Sequence, residues 1–414
     1  MSFTFIHAAD LHIDSPLDGL GCKDAAVAAR FAEAGRRAVS ALIDLAITSK
    51  AAFLLISGDI FDGDWRDVST GHFFVKELGR LARENIKVFI VRGNHDAESQ
   101  ISKSLPYPSN VHVFSSRSAQ THPIEELRVA LHGRSFSARN PDADFVSSYP
   151  ARCEGWFNIG LLHTALDGSR KGHNSYAPCT VEDLRRFGYD YWALGHIHAR
   201  EEVCGEPYIV YPGNLQGRNV RETGAKGATR VEVADGRVAS LAHVPLDGAR
   251  WAHLRLDAGD CADEAQLLAT IEGRLGEEHA KADGRALALR LTLTGATALH
   301  ERLVARREAI EDDARALALR FGDDFWIEQL KIATNAPKTR SALGTADALD
   351  VEALILKAAD ERYAQSVAEL MEEIVAKAPR EVGEALRRDL DAAALANEAR
   401  DLLLGELAIA TVDA

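Results

Sequence analysis

Five short apolar runs within the first 198 residues each end in a cluster of aspartate, histidine, asparagine or glycine. Residues 3–8 run into Asp10-Leu11-His12, and residues 52–56 into Ser57-Gly58-Asp59 with Asp62 close behind. Residues 88–91 lead to Gly93-Asn94-His95-Asp96, residues 157–162 to His163, and residues 191–194 to Gly195-His196-Ile197-His198. Runs this short, bounded by turn-forming residues, read as buried strands. Helical spacing of apolar residues predicts helices over 24–50 and 70–84 between the first three. Strand, polar loop and helix in alternation predict an α/β layered fold. Open α/β sheets carry their sites at the carboxyl ends of the strands, where these polar clusters fall.

Further along, residues 208–211 precede Pro212-Gly213-Asn214, and Ala234-Asp235-Gly236-Arg237 marks a hairpin turn. Leu287, Leu289, Leu291 and Leu293 alternate with Ala288, Arg290, Thr292 and Thr294, as in a half-buried strand. With strands over 251–257 and 325–332 and helices over 262–279 and 297–320, this makes a small α+β unit. Beyond it the pattern is helical, broken at Pro379. The expected division is therefore 1–248, 249–335 and a helical 336–414.

The chain carries 48 Lys and Arg against 62 Asp and Glu, a net charge of −14. That excludes a globally basic nucleic-acid coat. The acidity is uneven, however. Residues 1–250 hold 28 basic and 30 acidic side chains, a net of −2, and residues 251–414 hold 20 and 32, a net of −12. Five scattered cysteines without a C-x-x-C pair argue against a disulfide framework or a zinc ribbon. No apolar run approaches the ~20 residues of a membrane span. The first ten residues lack the basic start of a signal peptide. A cytoplasmic protein without a membrane partner is the expectation.

Singly, each polar cluster is an ordinary turn or helix cap. Together they form a donor set rich in imidazole and carboxylate and poor in sulfur, which suits manganese, iron or zinc better than calcium. The donors outnumber the needs of one ion. A bridging carboxylate between two ions about 3.5–4 Å apart gives the clamp used in phosphoryl chemistry.

In this order the five motifs resemble the calcineurin-like metallophosphoesterases. The opening Phe5-Ile6-His7-Ala8-Ala9-Asp10-Leu11-His12 and the later Tyr211-Pro212-Gly213-Asn214-Leu215-Gln216-Gly217-Arg218 resemble its DNA-repair exonuclease branch, SbcD-like and YhaO-type. The resemblance implies a β-sandwich flanked by helices, with a capping domain at 249–335. It implies two divalent ions, manganese first, with iron or zinc as alternatives. One ion would be held by Asp10, His12, Asp59 and His198. The other would be held by Asp59, Asn94, His163 and His196, with Asp59 bridging. His95 would stabilise the scissile phosphate or protonate the leaving oxygen, its ring oriented by Asp96 or another carboxylate. A metal-activated hydroxide would be the nucleophile.

One position departs from the archaeal and eukaryotic pattern, where a second catalytic histidine ends the second motif. Here it is Asp62, read either as orienting His95 or a metal-bound water, or as a structural carboxylate. Arg218, Arg170 and Lys171 are candidates for DNA phosphate contacts, and Arg92 for support of the Asn94–Asp96 loop. His7 and His132 lie outside the motifs and read as packed or hydrogen-bonded. The apolar stripe of Leu349, Leu354, Leu370 and Ile374 reads as internal packing or as a docking face for an SbcC-like coiled-coil ATPase.

The implied activity is a metal-dependent DNA nuclease, 3′-to-5′ exonuclease with endonuclease ability, working in DNA repair. A homodimer is also compatible with the resemblance. The alternatives are a small-molecule or cyclic-nucleotide phosphodiesterase and a DNA-tethering scaffold that is silent without its partner. A protein phosphatase fits poorly, because Gly63-Asp64 and Asp96 stand where that branch has Arg-Gly and Glu.

Overall fold

β1 (Phe3–Ala8) shows how the sequence builds a layered molecule, because both of its faces are buried. Phe5 packs with Phe53, Leu55, Phe89 and Val91 in one core, whereas Ile6 and Ala8 pack with Ala38, Leu42, Phe74 and Leu78 in another. A strand covered on both sides reads as a continuous apolar run, which is the pattern of a parallel sheet. The architecture is that of a computed structural model, which describes residues 2–15, 25–62, 68–99, 105–141, 145–166, 176–337 and 361–377, with Asp391, Leu395 and Ala399.

β1 lies parallel to β2 (Phe53–Ser57), followed by β3 (Lys87–Val91) and β4 (Val111–Val113). On its other side it pairs antiparallel with β11 (Gly227–Ala234), which forms the expected hairpin with β12 (Arg237–Pro245). The order is β12-β11-β1-β2-β3-β4. α1 (Ala25–Thr48) and α2 (Val68–Arg83) supply the apolar stripes that cover its outer face. The second six-stranded sheet runs β5-β6-β7-β8-β10-β9. Its strands are β5 (Gln120–Ile124), β6 (Val129–Gly133), β7 (Phe157–His163), β8 (Tyr191–Gly195), β9 (Glu201–Gly205) and β10 (Tyr208–Tyr211). Phe5, Phe53 and Phe89 of the first sheet meet Leu131, Ile159, Leu161 and Tyr191 of the second to form the core between them.

The third sheet is β13 (Ala249–Asp257), β14 (Ala286–Ala296) and β15 (Phe325–Asn335) in that order. Two compact units divide the chain: Met1–Ala252 with Ala282–Ala288, and His253–Lys281 with Leu289–Ala414. The second unit also carries helices over Glu264–Ala282, His300–Ala305, Arg307–Leu319 and Glu361–Lys377.

The α/β sandwich is as expected, with two local differences. The helix expected over 297–320 is two, because Arg306 leaves the helical region at φ −106°, ψ 23°. β4, β5, β6 and β9 fall outside the expected strands, and three of them, β4, β5 and β9, are sheet edges. β5 carries Pro123, which only an edge strand tolerates. Pro379 lies outside the described residues.

His7 and His132 are both wholly buried and hydrogen-bonded. His7 Nδ1 lies 3.0 Å from the Tyr191 hydroxyl, and Nε2 lies 3.1 Å from the Leu194 carbonyl. Burial pushes its pKa down to about 3. The unfolded chain therefore takes up a proton near pH 6.5 that the folded chain refuses, so the fold is at full strength above 6.5 and weakens as pH falls. At about 1.4 kcal/mol per unit, His7 alone should cost about 3 kcal/mol between pH 6.5 and 4. Chemical unfolding across that range should show a shallower acid loss in His7→Gln than in the wild type. Equal slopes would refute this origin.

Candidate metal centre

The loops after β1 and β2 are tied together before any side chain is considered. Asp10 N donates to Gly58 O at 3.0 Å and His12 N to Asp59 O at 3.0 Å. The loops after β7 and β8 are joined in the same way, Thr164 N donating to Gly195 O at 3.1 Å. These bonds tie neighbouring strand ends within each sheet, and Ser57 Oγ, donating to the Ala193 carbonyl at 2.8 Å, joins one sheet to the other. Asp10, His12, Asp59 and His196 all have positive φ, between 43° and 102°. Such backbone costs on the order of 1–3 kcal/mol per residue and persists where the surroundings over-determine it, commonly at functional sites. Gly58 and Gly195 permit the close approach: a Cβ on Gly58 would overlap the His163 ring, and one on Gly195 would overlap the Ser57 carbonyl.

Three groups of donors result, Asp10, His12 and His198; Asp59, His163 and His196; and His12, Asp62 and His95, the first and third sharing His12. Within each, the donor atoms lie within 4.8 Å of one another. In the second group His163 Nε2 is 3.3 Å from Asp59 Oδ2 and 3.0 Å from Asn94 Oδ1, and its Nδ1 is 2.9 Å from the Ser57 carbonyl. Asp59 Oδ1 accepts from His95 N at 3.0 Å. Asp10 accepts the His196 backbone N–H on both oxygens, at 3.1 and 3.0 Å, linking the first group to the second.

The charges match these contacts. Burial raises the Asp10 carboxyl above its ordinary value. Burial would do the same to Asp59, but the charge and hydrogen bond of His163 hold it below the usual carboxylate range. Burial opposes a proton on His163, yet Asp59 and Asp10 lift it above an ordinary imidazole. Burial, with Arg218 nearby, pushes His12 down to about 4, which leaves it neutral with a lone pair to give. To hold a cation, His163 would give up that proton, and Asp59 would share the ion in its place.

These residues suit divalent ions on one observation. His12 Nδ1 is 2.6 Å from Asp62 Oδ1 and His198 Nδ1 is 2.8 Å from Glu222 Oε1. Carboxylates accept only, so both Nδ1 atoms carry hydrogen, and in the neutral rings the two Nε2 atoms carry the lone pairs. Those lone pairs face each other at 3.3 Å, beside the buried carboxylate of Asp10. Two converging lone pairs and a buried anion need a cation between them. Imidazole and carboxylate donors without sulfur suit a transition-series divalent ion.

His95 stands at the edge of this cluster, half exposed, its ring 5.1 Å from that of His12. The carboxylate facing it belongs to Asp62, whose Oδ1 is 3.4 Å from His95 Nδ1. Asp96 corrects the sequence reading. Its carboxylate is wholly buried and accepts from the backbone N–H groups of Ile60, Phe61 and Gly93 at 3.0, 3.1 and 3.2 Å. It therefore braces the two loops rather than the His95 ring. Arg218 sits among Asp62, His198 and Glu222. Arg170 and Lys171 lie outside the described residues. Glu222 was invisible to sequence reasoning, its only signal being a position four residues beyond Arg218 in a polar run.

A two-sheet sandwich with buried oxygen and imidazole donors at its strand ends is the framework of a metal-dependent phosphoester hydrolase. The chain matches the calcineurin-like phosphoesterase family over residues 3–200 and the middle domain of metallophosphoesterase YhaO over residues 251–335. It is similar to the uncharacterized metallophosphoesterase YhaO of Bacillus subtilis, at 35% identity over 321 residues, 76% of this chain and 77% of that one. It is also similar to DNA double-strand break repair proteins Mre11 of two archaea. With that of Methanopyrus kandleri it is 24% identical over 229 residues, 50% of this chain and 48% of the other. With that of Archaeoglobus fulgidus it is 34% identical over 240 residues, 53% and 51%. The chain belongs to the calcineurin-like metallophosphoesterase family. No described helix is long and apolar enough to cross a membrane.

Proposed function

We propose that the protein is a DNA nuclease of the repair type that hydrolyses phosphodiesters at a two-ion centre. The observation that carries this is the pairing of two buried donor groups, Asp10/His12/His198 and Asp59/His163/His196, with the half-exposed His95 beside them. Asn94 completes the second group, and we take Asp59 as the carboxylate that bridges the two. Bound there, divalent ions supply Lewis-acid polarisation of the phosphoryl oxygens and acidify water towards a nucleophile.

The remaining steps belong to the chain. His95 holds or delivers a proton at the leaving oxygen, and Asp62 orients its ring through Nδ1. Asp96 keeps the loop that carries Asn94 and His95 against the loop that carries Asp59. Manganese is the ion we expect first, with iron or zinc as alternatives. Similarity to the Mre11 repair proteins supports DNA as substrate. We take residues 1–248 as the catalytic domain, 249–335 as a cap and 336–414 as a helical region. Leu370 and Ile374 are exposed on the helix over Glu361–Lys377, which supports that region as the docking face for a coiled-coil ATPase. Leu349 and Leu354 lie outside the described residues.

The test is digestion of end-labelled linear and circular DNA with manganese, with and without a chelator. Linear DNA should shorten from its 3′ ends, circular DNA should be nicked more slowly, and chelation should stop both. Hydrolysis of cyclic nucleotides with DNA left intact would replace this reading by a small-molecule phosphodiesterase.

A further inference from the structure

Two carboxylates stand behind the imidazoles of one donor group, and a single guanidinium spans them. Glu222 Oε1 is 2.8 Å from His198 Nδ1, and Asp62 Oδ1 is 2.6 Å from His12 Nδ1. Arg218 reaches both acids, its Nη2 3.5 Å from Glu222 Oε1 and its Nη1 3.7 Å from Asp62 Oδ1. Glu222 is itself held in place, because its Oε2 accepts from Asn214 Nδ2 at 2.7 Å and from Arg218 N at 2.8 Å. His163, in the other group, has the Ser57 carbonyl at 2.9 Å as the nearest partner of Nδ1, with Asp10 Oδ1 at 4.0 Å.

His198 Nδ1 has two competing neighbours, Glu222 at 2.8 Å and Arg218 Nη2 at 3.3 Å. They demand opposite tautomers. Glu222 only accepts, so it requires hydrogen on Nδ1 and leaves Nε2 bare. The guanidinium only donates, so it would require a bare Nδ1 and put the hydrogen on Nε2, facing the cluster. The shorter contact to an ionised acceptor is the stronger one, and Glu222 prevails. Partners of this kind set the orientation and basicity of a metal-ligating imidazole.

We propose that Glu222 and Arg218 form a tautomer clamp for the ion site of Asp10, His12 and His198. Glu222 keeps His198 Nε2 bare for ligation, and Arg218 holds Glu222 and Asp62 at their spacing. This rests on the two-ion reading of the centre. Both are positioning residues. Removing Glu222 does more than delete a contact, because Arg218 then inherits Nδ1 and imposes the non-ligating tautomer.

The clamp is tested by calorimetric titration of the full chain with manganese alone, without substrate. Wild type should take two ions. Glu222→Ala should weaken one of them about 10–100-fold and leave the other unchanged. Adding Arg218→Ala to Glu222→Ala should recover part of that loss, which a merely structural defect would not do. Circular dichroism confirms folding. If Glu222→Ala does not fold, nitrogen-15 spectra of the zinc-loaded wild type decide instead, since His198 must carry its hydrogen on Nδ1. Hydrogen on Nε2 overturns the clamp. So do two affinities falling together, or a double variant no better than the single. Fewer than two ions in the wild type overturns the two-ion reading itself.

Discussion

Asp59→Asn is expected to cut phosphodiester hydrolysis by about 10²–10⁴-fold and to reduce the bound ions from two to one or none. Asn keeps the size of the side chain and its acceptor for His95 N, so the loop geometry is preserved. What it removes is the buried negative charge 3.3 Å from His163 Nε2. Stripping one member from a buried charge cluster costs about 3–5 kcal/mol, and each 1.4 kcal/mol is a factor of ten. Elemental analysis after gel filtration gives the ion count, and a chromogenic phosphodiester gives the rate without assuming DNA as substrate. Two retained ions with a wild-type rate would remove Asp59 from the centre.

His95→Ala should behave in the opposite way, with both ions kept and the rate lost. Removing a general acid from a phosphoryl transfer costs about 10²–10⁴-fold. The His95 ring is half exposed and contacts Asp62 and the edge of His12, so its removal opens no buried cavity. The structure also groups His95 with His12 and Asp62 as possible donors, and the experiment separates the two roles. Loss of an ion in His95→Ala would make it a ligand. An unchanged rate with two ions would leave it without a role in the reaction.

Much of the site was legible in the chain because its donors sit at the ends of apolar strands. A strand end is a local feature, marked by where the apolar run stops, so Asp10, His12, Asp59, Asn94, His163, His196 and His198 could all be named from sequence. The allocation of carboxylates was not local. Asp96 is adjacent to His95 in the chain, yet it bonds to the backbone of residues 60, 61 and 93, while Asp62, more than thirty residues away, faces the ring. From sequence Arg218 is a candidate for DNA phosphate contact, and the fold surrounds it with Asp62, His198 and Glu222. The edge strands β5 and β9 were missed because an edge needs only one buried face and so leaves no continuous apolar run.

The chain by itself determined that it would form an α/β sandwich, and it determined which residue types would meet at the strand ends. Hydrophobic periodicity and turn chemistry act over a few residues and survive in a linear reading. Only the tertiary structure decided which carboxylate stands behind which imidazole, and therefore which nitrogen faces the centre. That choice depends on differences of a few tenths of an ångström between atoms far apart in sequence. His198 shows it most clearly: Glu222 and Arg218 lie 24 and 20 residues away, and their competition for one nitrogen is settled by distance and charge sign alone.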